Sequence, residues 1–176
     1  MSQQADMSII NEASNADEII PRLWLGNVRA SQDDTFIKQN NIEVVFNCTK
    51  NLSFSPSIPN KYRIPLDDNL EEEEIRNMAL WSNEIAFKII AEYLSGKAIL
   101  VHCMAGMQRS AAAVAMFLIA FQKMRAPDAI QYIKEKRKIA FFTQANFGPS
   151  IIYFDNKFYN EILPFLNKEI ETNKDE

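Results

Sequence analysis

The sequence predicts an α/β fold: a single domain with a mostly parallel central sheet flanked by helices. Three observations lead there. Short apolar runs alternate along the chain with longer segments of helical periodicity, the order from which βαβ units are built. The run Ala98, Ile99, Leu100, Val101 does not alternate apolar with polar, as suits a strand buried on both faces. A chain of 176 residues with 47% hydrophobic composition has the size and apolar content for one compact core.

The elements follow in order. Residues 1–18 are mostly polar and aperiodic, so a loosely held lead is expected there, with packed structure starting near Ile19 and one domain over 19–166. Leu23, Trp24 and Leu25 read as a short strand closed by Gly26. Ser31, with Asp34 three residues on, resembles a capping box that opens a short helix. Residues 42–48 (IEVVFNC) form a buried strand, and the Ser-, Asn- and Pro-bearing stretch 49–60 is a loop before a second brief strand at 62–64. Asp67 and Asp68 come next. Ile75, Met78, Ala79, Ile85, Ala86, Ile89, Ile90, Tyr93 and Leu94 keep helical spacing, which predicts one helix over 72–95 with Gly96 at its C-terminal cap. The strand at 98–101 delivers His102 and Cys103. Helices are expected over 110–124, from Pro127 to about Lys138, and over 147–166, with a charged tail at 167–176 that frays.

Composition removes several classes of function. The 19 basic and 23 acidic residues leave a formal charge of −4 without a long Lys/Arg cluster, so nucleic acid is not an expected partner. The longest apolar stretch, 111–121, is well short of the roughly 20 residues that span a bilayer and predicts a buried helix instead, with no membrane partner. The N-terminus has neither the basic lead nor the apolar run of a secretory signal. A soluble protein of the cytoplasm, with the nucleus also open to it, is expected. Two cysteines and one histidine are too few for a disulfide scaffold or a structural zinc site, so the expected chemistry uses neither metal nor cofactor.

That chemistry is predicted at His102-Cys103-Met104-Ala105-Gly106-Met107-Gln108-Arg109-Ser110. A strand, a six-residue loop and a helix start turn successive backbone N–H groups inward around an anion, which suits a tetrahedral phosphoryl group. The same field lowers the Cys103 thiol pKa and favours the nucleophilic thiolate. Arg109 adds a planar fork of donors for two phosphoryl oxygens. The chain has four glycines, and Gly106 stands mid-loop, where positive φ is called for. A His-Cys pair with Arg six residues after the Cys arises by chance in roughly one chain of this length in several hundred.

With 20–26 (IPRLWLG), 47–49 (NCT), 64–68 (IPLDD) and 146–147 (NF) placed around it in this order and spacing, the 101–110 signature resembles the dual-specificity branch of the protein tyrosine phosphatase superfamily, over about residues 19–166. The resemblance implies a protein tyrosine phosphatase-like fold. It also implies attack by Cys103 on phosphorus to give a phosphocysteine, with Arg109 and the loop His102, Met104, Ala105, Gly106, Met107 and Gln108 holding the phosphate. Asp68 matches the general acid, with Asp67 beside it as the alternative. Ser110 matches the hydroxyl that assists the departing thiolate. The sequence departs from the family at Gln108, where a small residue is usual before the arginine, and the longer side chain is expected to narrow or redirect the pocket mouth.

Other features have plainer readings. Cys48 ends a buried strand and packs there, though some relatives place a cysteine near this point that forms a reversible disulfide with the nucleophile. His102 reads as structural, the acidic run 71–74 as a solvated first turn of helix, and the basic cluster Lys134, Lys136, Arg137, Lys138 as a solvated helix end or a docking surface. The resemblance implies dephosphorylation of phosphoserine, phosphothreonine and phosphotyrosine in a phosphoprotein, because the sequence has no counterpart of the Tyr-bearing recognition loop that deepens the pocket in tyrosine-only relatives. Two alternatives stay open: a phosphoprotein-binding module without turnover, and a phosphatase for a phosphoinositide or an RNA 5'-triphosphate. The absence of basic residues between Cys103 and Arg109 weighs against such polyanions.

Overall fold

The computed structural model describes residues 2–172. Its strands are β1 (Ala16–Ile20), β2 (Leu23–Gly26), β3 (Ile42–Asn47), β4 (Asn60–Arg63) and β5 (Ala98–His102), joined in one sheet in the order β1-β2-β5-β3-β4. The last four of that order run parallel, and β1 returns antiparallel against β2. All five residues of β5 are buried, as its unbroken apolar run requires of a central strand with both faces covered.

Residues next to one another in β5 feed opposite layers. Ile99 and Val101 join Val44 and Phe46 under α5 (Arg109–Gln122), the central helix of the larger core. Leu100 joins Val45 and Ile42 on the other face, covered by Ala30 of α1 (Val28–Gln32) and Ile37 of α2 (Asp34–Gln39). The helix α5 is buried at every position from Ser110 to Ala120. It is apolar all round because it lies between the sheet and α4 (Ser82–Leu94), α6 (Ala126–Lys136) and α7 (Gly148–Lys157), and its five alanines let those neighbours come close, while α3 (Glu72–Leu80) packs beyond them on α7. No helix among the described residues is long and apolar enough to cross a membrane.

Several boundaries differ from expectation, each for a local reason. The predicted 72–95 helix is broken at Trp81 (φ −89°, ψ 0°), where the Ser82 hydroxyl donates to Ala79 O at 2.6 Å in competition with the helical ladder. Ser31 opens no helix; it lies inside α1 and donates to Val28 O. The caps are Asn27, which accepts from Ala30 N–H, and Asp33, which accepts from Thr35 and Phe36 N–H. The 1–18 lead holds a helix, Ser2–Glu12, and three of the five residues of β1, so the sheet begins at Ala16. The segment 147–166 is not one regular helix, because α7 passes through a π turn at Phe158–Ile162 before α8 (Leu163–Thr172). Of the tail expected to fray, 167–172 continue α8 and 173–176 lie outside the described residues.

Candidate active site

The loop Cys103–Gln108 leaves β5 between its two parallel neighbours, with Gly26 and Asn47 both in register with His102. This is the carboxyl edge of a parallel sheet, where α/β folds bind ligands. The loop is held from outside by its carbonyls. Met104 O accepts from Val28 N–H at 3.1 Å, Ala105 O from Arg137 Nη2 at 3.3 Å, Gly106 O from Arg137 Nε at 2.9 Å, and Met107 O from Phe141 N–H at 2.8 Å. With four successive carbonyls turned outward, the intervening N–H groups face the space above Cys103. Gly106 is required in this path, since its φ is +65° and a Cβ there would lie 2.5 Å from Gly26 O.

Arg137 is the largest departure from the sequence reading. It is not part of a solvated basic cluster: it is 1% exposed and, besides the two loop carbonyls, binds Ser14 O at 2.9 Å and Asp17 Oδ2 at 2.7 Å through Nη1. It thus fastens the N-terminal segment to the back of the loop. A periodic signal marks it: Arg137 falls four residues after Ile133 on the buried stripe Ala126, Ala129, Ile133, which Lys134, Lys136 and Lys138 leave, and only its residue type makes it read as surface.

Cys103 Sγ lies 3.1 Å from Ser110 Oγ, and the residue is 3% exposed. Burial by itself raises the thiol pKa, but the Ser110 hydroxyl and amide, the Arg109 charge and the Met107 amide together outweigh it, and the net displacement is downward. Arg109 Nη1 donates to Leu66 O at 3.0 Å, while its buried Nε has no hydrogen-bond partner among the described residues. A buried guanidinium donor without an acceptor marks a place built for an anion. His102 is fully buried, and burial pushes its pKa down to about 4, so its imidazole is neutral near pH 7. Its Nδ1 lies 3.3 Å from Cys103 O and donates to it in the matching tautomer, a structural role.

The two aspartates are held differently. Asp67 Oδ2 is 2.8 Å from Lys50 Nζ, and Asp67 N–H donates to Glu74 Oε2 at 2.9 Å. Glu74, buried and bound also to Lys50 at 2.6 Å, is therefore no part of a solvated acidic turn. Asp68 Oδ1 accepts from Asn146 Nδ2 at 2.9 Å. Gln108 is buried, and its amide is bonded into the segment 142–146, which takes up the length that a small residue lacks. Cys48 is fully buried just beyond β3, with its N–H on His102 O at 2.8 Å, and its pKa is pushed up first by burial and then by the charge of Cys103. Among the described residues no group of three or more His, Cys, Asp and Glu side chains could hold a metal ion.

The opposed displacements of the two thiols have a measurable result. Iodoacetamide is expected to alkylate Cys103 at pH values where an ordinary thiol is protonated, and to leave Cys48 unmodified in the folded protein. Peptide mass spectrometry after timed quenching reads both; equal labelling, or a Cys103 rate that rises only in the range of a free thiol, would contradict the site's electrostatics.

Residues 23–157 match the family described as dual specificity phosphatase, catalytic domain. The chain is 29% identical over 147 residues to tyrosine-protein phosphatase vhp-1 of Caenorhabditis elegans, covering 78% of this chain and 21% of that protein. It is 30% identical over 129 residues to dual specificity protein phosphatase 2 of Mus musculus, covering 69% and 37%. The chain thus spans about a fifth to over a third of the length of these relatives. Among solved structures, human DUSP28 superposes with a TM-score of 0.70 at 20% identity, covering 83% of this chain and 96% of that one, which shows a shared fold.

Proposed function

Because the chain belongs to the family of dual specificity phosphatase catalytic domains, we propose that it is a metal-independent protein phosphatase acting on phosphoserine, phosphothreonine and phosphotyrosine. The residues to which the reading assigns catalysis all lie within 19–166. The observation that carries the reading is the Cys103 thiol, its pKa lowered, on the floor of an inward-facing N–H loop beside the unpartnered Arg109 Nε.

The reaction runs in two displacements. The Cys103 thiolate attacks phosphorus, an S–P bond forms as the P–O bond to the substrate breaks, and the loop amides and Arg109 hold the equatorial oxygens. Asp68 gives its proton to the leaving oxygen. Asp68 then takes a proton from water, which attacks the phosphocysteine, and inorganic phosphate departs as the thiolate is restored with a hydrogen bond from Ser110. Asp68 fits the role better than Asp67, whose carboxylate is engaged by Lys50. The expected partner is a phosphoprotein, with neither nucleic acid nor membrane involved. The need for a free thiol favours a reducing compartment, the cytoplasm or nucleus.

The deciding measurement is hydrolysis of phenyl phosphate by wild type, Asp68→Asn and Asp67→Asn. Asp68→Asn is expected to be slower by roughly 100-fold or more, and Asp67→Asn to lose far less. The reverse order moves the acid to Asp67. A wild type that hydrolyses nothing leaves a phosphoprotein-binding module, and strict phosphotyrosine preference on matched phosphopeptides removes the dual specificity.

The reading includes a reversible Cys48–Cys103 disulfide, supported by their places at the ends of adjacent strands. Peroxide oxidises the Cys103 thiolate to a sulfenic acid, which the Cys48 thiol condenses with, releasing water. Non-reducing mass spectrometry after peroxide is expected to find the linked peptides; Cys103 oxidised without them would exclude it.

A further inference from the structure

Gln108 stands beside Arg109 in the phosphate loop, yet the polar contacts of its side chain lie elsewhere. Its Nε2 donates to Gln144 O at 2.8 Å and to Phe142 O at 3.4 Å, and its Oε1 accepts from Asn146 N–H at 2.9 Å. The segment it grips holds Phe141 at φ 55° and Thr143 at φ 65°, and left-handed backbone in non-glycine residues costs about 1–2 kcal/mol each. Such a segment needs external anchors. The phosphate loop supplies them through Gln108 and through Met107 O, which accepts from Phe141 N–H.

The far end of the same segment reaches Asp68. Asn146 Nδ2 donates to Asp68 Oδ1 at 2.9 Å, and Asn146 Oδ1 faces Gln144 Nε2 at 3.5 Å, which fixes the sense of the amide. Oδ1 of Asp68 is thereby occupied, and Oδ2 is the oxygen left to carry a proton.

Resting on Asp68 as the acid, we propose that Gln108 is a positioning residue: through Asn146 it sets the Asp68 carboxyl over the phosphate held by Arg109. A small residue at 108 has no atom that reaches Gln144 O or Asn146 N–H. The side chain therefore sets how well the enzyme handles poor leaving groups, such as the alkyl oxygens of phosphoserine and phosphothreonine, which need protonation. An activated aryl oxygen leaves without that help.

The test compares phenyl phosphate with p-nitrophenyl phosphate for wild type, Gln108→Ser, Gln108→Glu and Asn146→Ala, with inorganic phosphate inhibition measured alongside. Gln108→Ser and Asn146→Ala are expected to lower kcat for phenyl phosphate by about 10-fold or more, with a much smaller loss on p-nitrophenyl phosphate and an unchanged phosphate Ki. Gln108→Glu, which keeps the acceptor for Asn146 N–H but loses the donor, falls between. In an Asp68→Asn background, Gln108→Ser should add nothing further, since both act on one proton transfer. Equal losses on both substrates, a weakened phosphate Ki, an additive double variant, or an Asn146→Ala variant with wild-type leaving-group dependence would each overturn the proposal. Failure of the acid reading itself is separate: it appears as Asp68→Asn alone having no effect.

Discussion

Cys103→Ser is expected to lower turnover of p-nitrophenyl phosphate by about 10⁴-fold or more, the scale on which loss of a nucleophile acts. The site lowers a thiol pKa through the Ser110 hydroxyl, two amides and the Arg109 charge, all against the opposing effect of burial. An alcohol starts several units higher, so the same stabilisation leaves it protonated and weakly nucleophilic. The change removes no structural partner, because a hydroxyl at 103 can still hydrogen-bond Ser110 Oγ and the loop carbonyls stay fastened from outside. Binding of inorganic phosphate, followed by calorimetry, is therefore expected to persist while turnover disappears. A serine variant with activity within tenfold of wild type would show that Cys103 is not the nucleophile.

Gly106→Ala is expected to cost about 10³-fold or more in turnover and about 2 kcal/mol or more in stability. The added Cβ would meet Gly26 O at 2.5 Å, Gly26 C at 2.6 Å and Arg137 Nη2 at 2.9 Å, on a residue already at φ +65°. Left-handed backbone costs alanine about 1–2 kcal/mol, and the Gly26 backbone is fixed in β2 and cannot yield cheaply. The loop must move away from β2, which spoils several inward N–H groups at once, while a single such donor is worth about 10²–10³ in rate. Urea unfolding and steady-state kinetics on the same preparation check both halves. A variant of wild-type stability and activity would mean that the tight approach to β2 has no functional weight.

The parts legible in the sequence share one property: their signal is local. β5 announces itself by an unbroken apolar run, α5 by its all-round apolar character, and the Cys103 loop by residue types at fixed spacing. The parts that were not legible depend on contacts made at long range. β1 carries only two large apolar residues, Ile19 and Ile20, and becomes a strand because β2 offers it an edge. The break at Trp81 hinges on one hydroxyl of Ser82 reaching Ala79 O. Gln108, Asn146 and Arg137 look like ordinary loop or surface residues until the fold brings 142–146, 14–17 and the phosphate loop together. The ion pair of Asp67 with Lys50, which bears on the roles of Asp67 and Asp68, likewise comes from a separate loop.

The fastening of Arg137 bears on how the protein is to be cut. A fragment trimmed to 23–157, the extent of the family match, retains Cys103, Arg109, Asp68 and Ser110. It discards Ser14 and Asp17, and so leaves a buried guanidinium with two of its four acceptors. The unit defined by shared sequence and the unit that holds its own phosphate loop in shape therefore have different N-terminal borders, and the second begins ahead of residue 14.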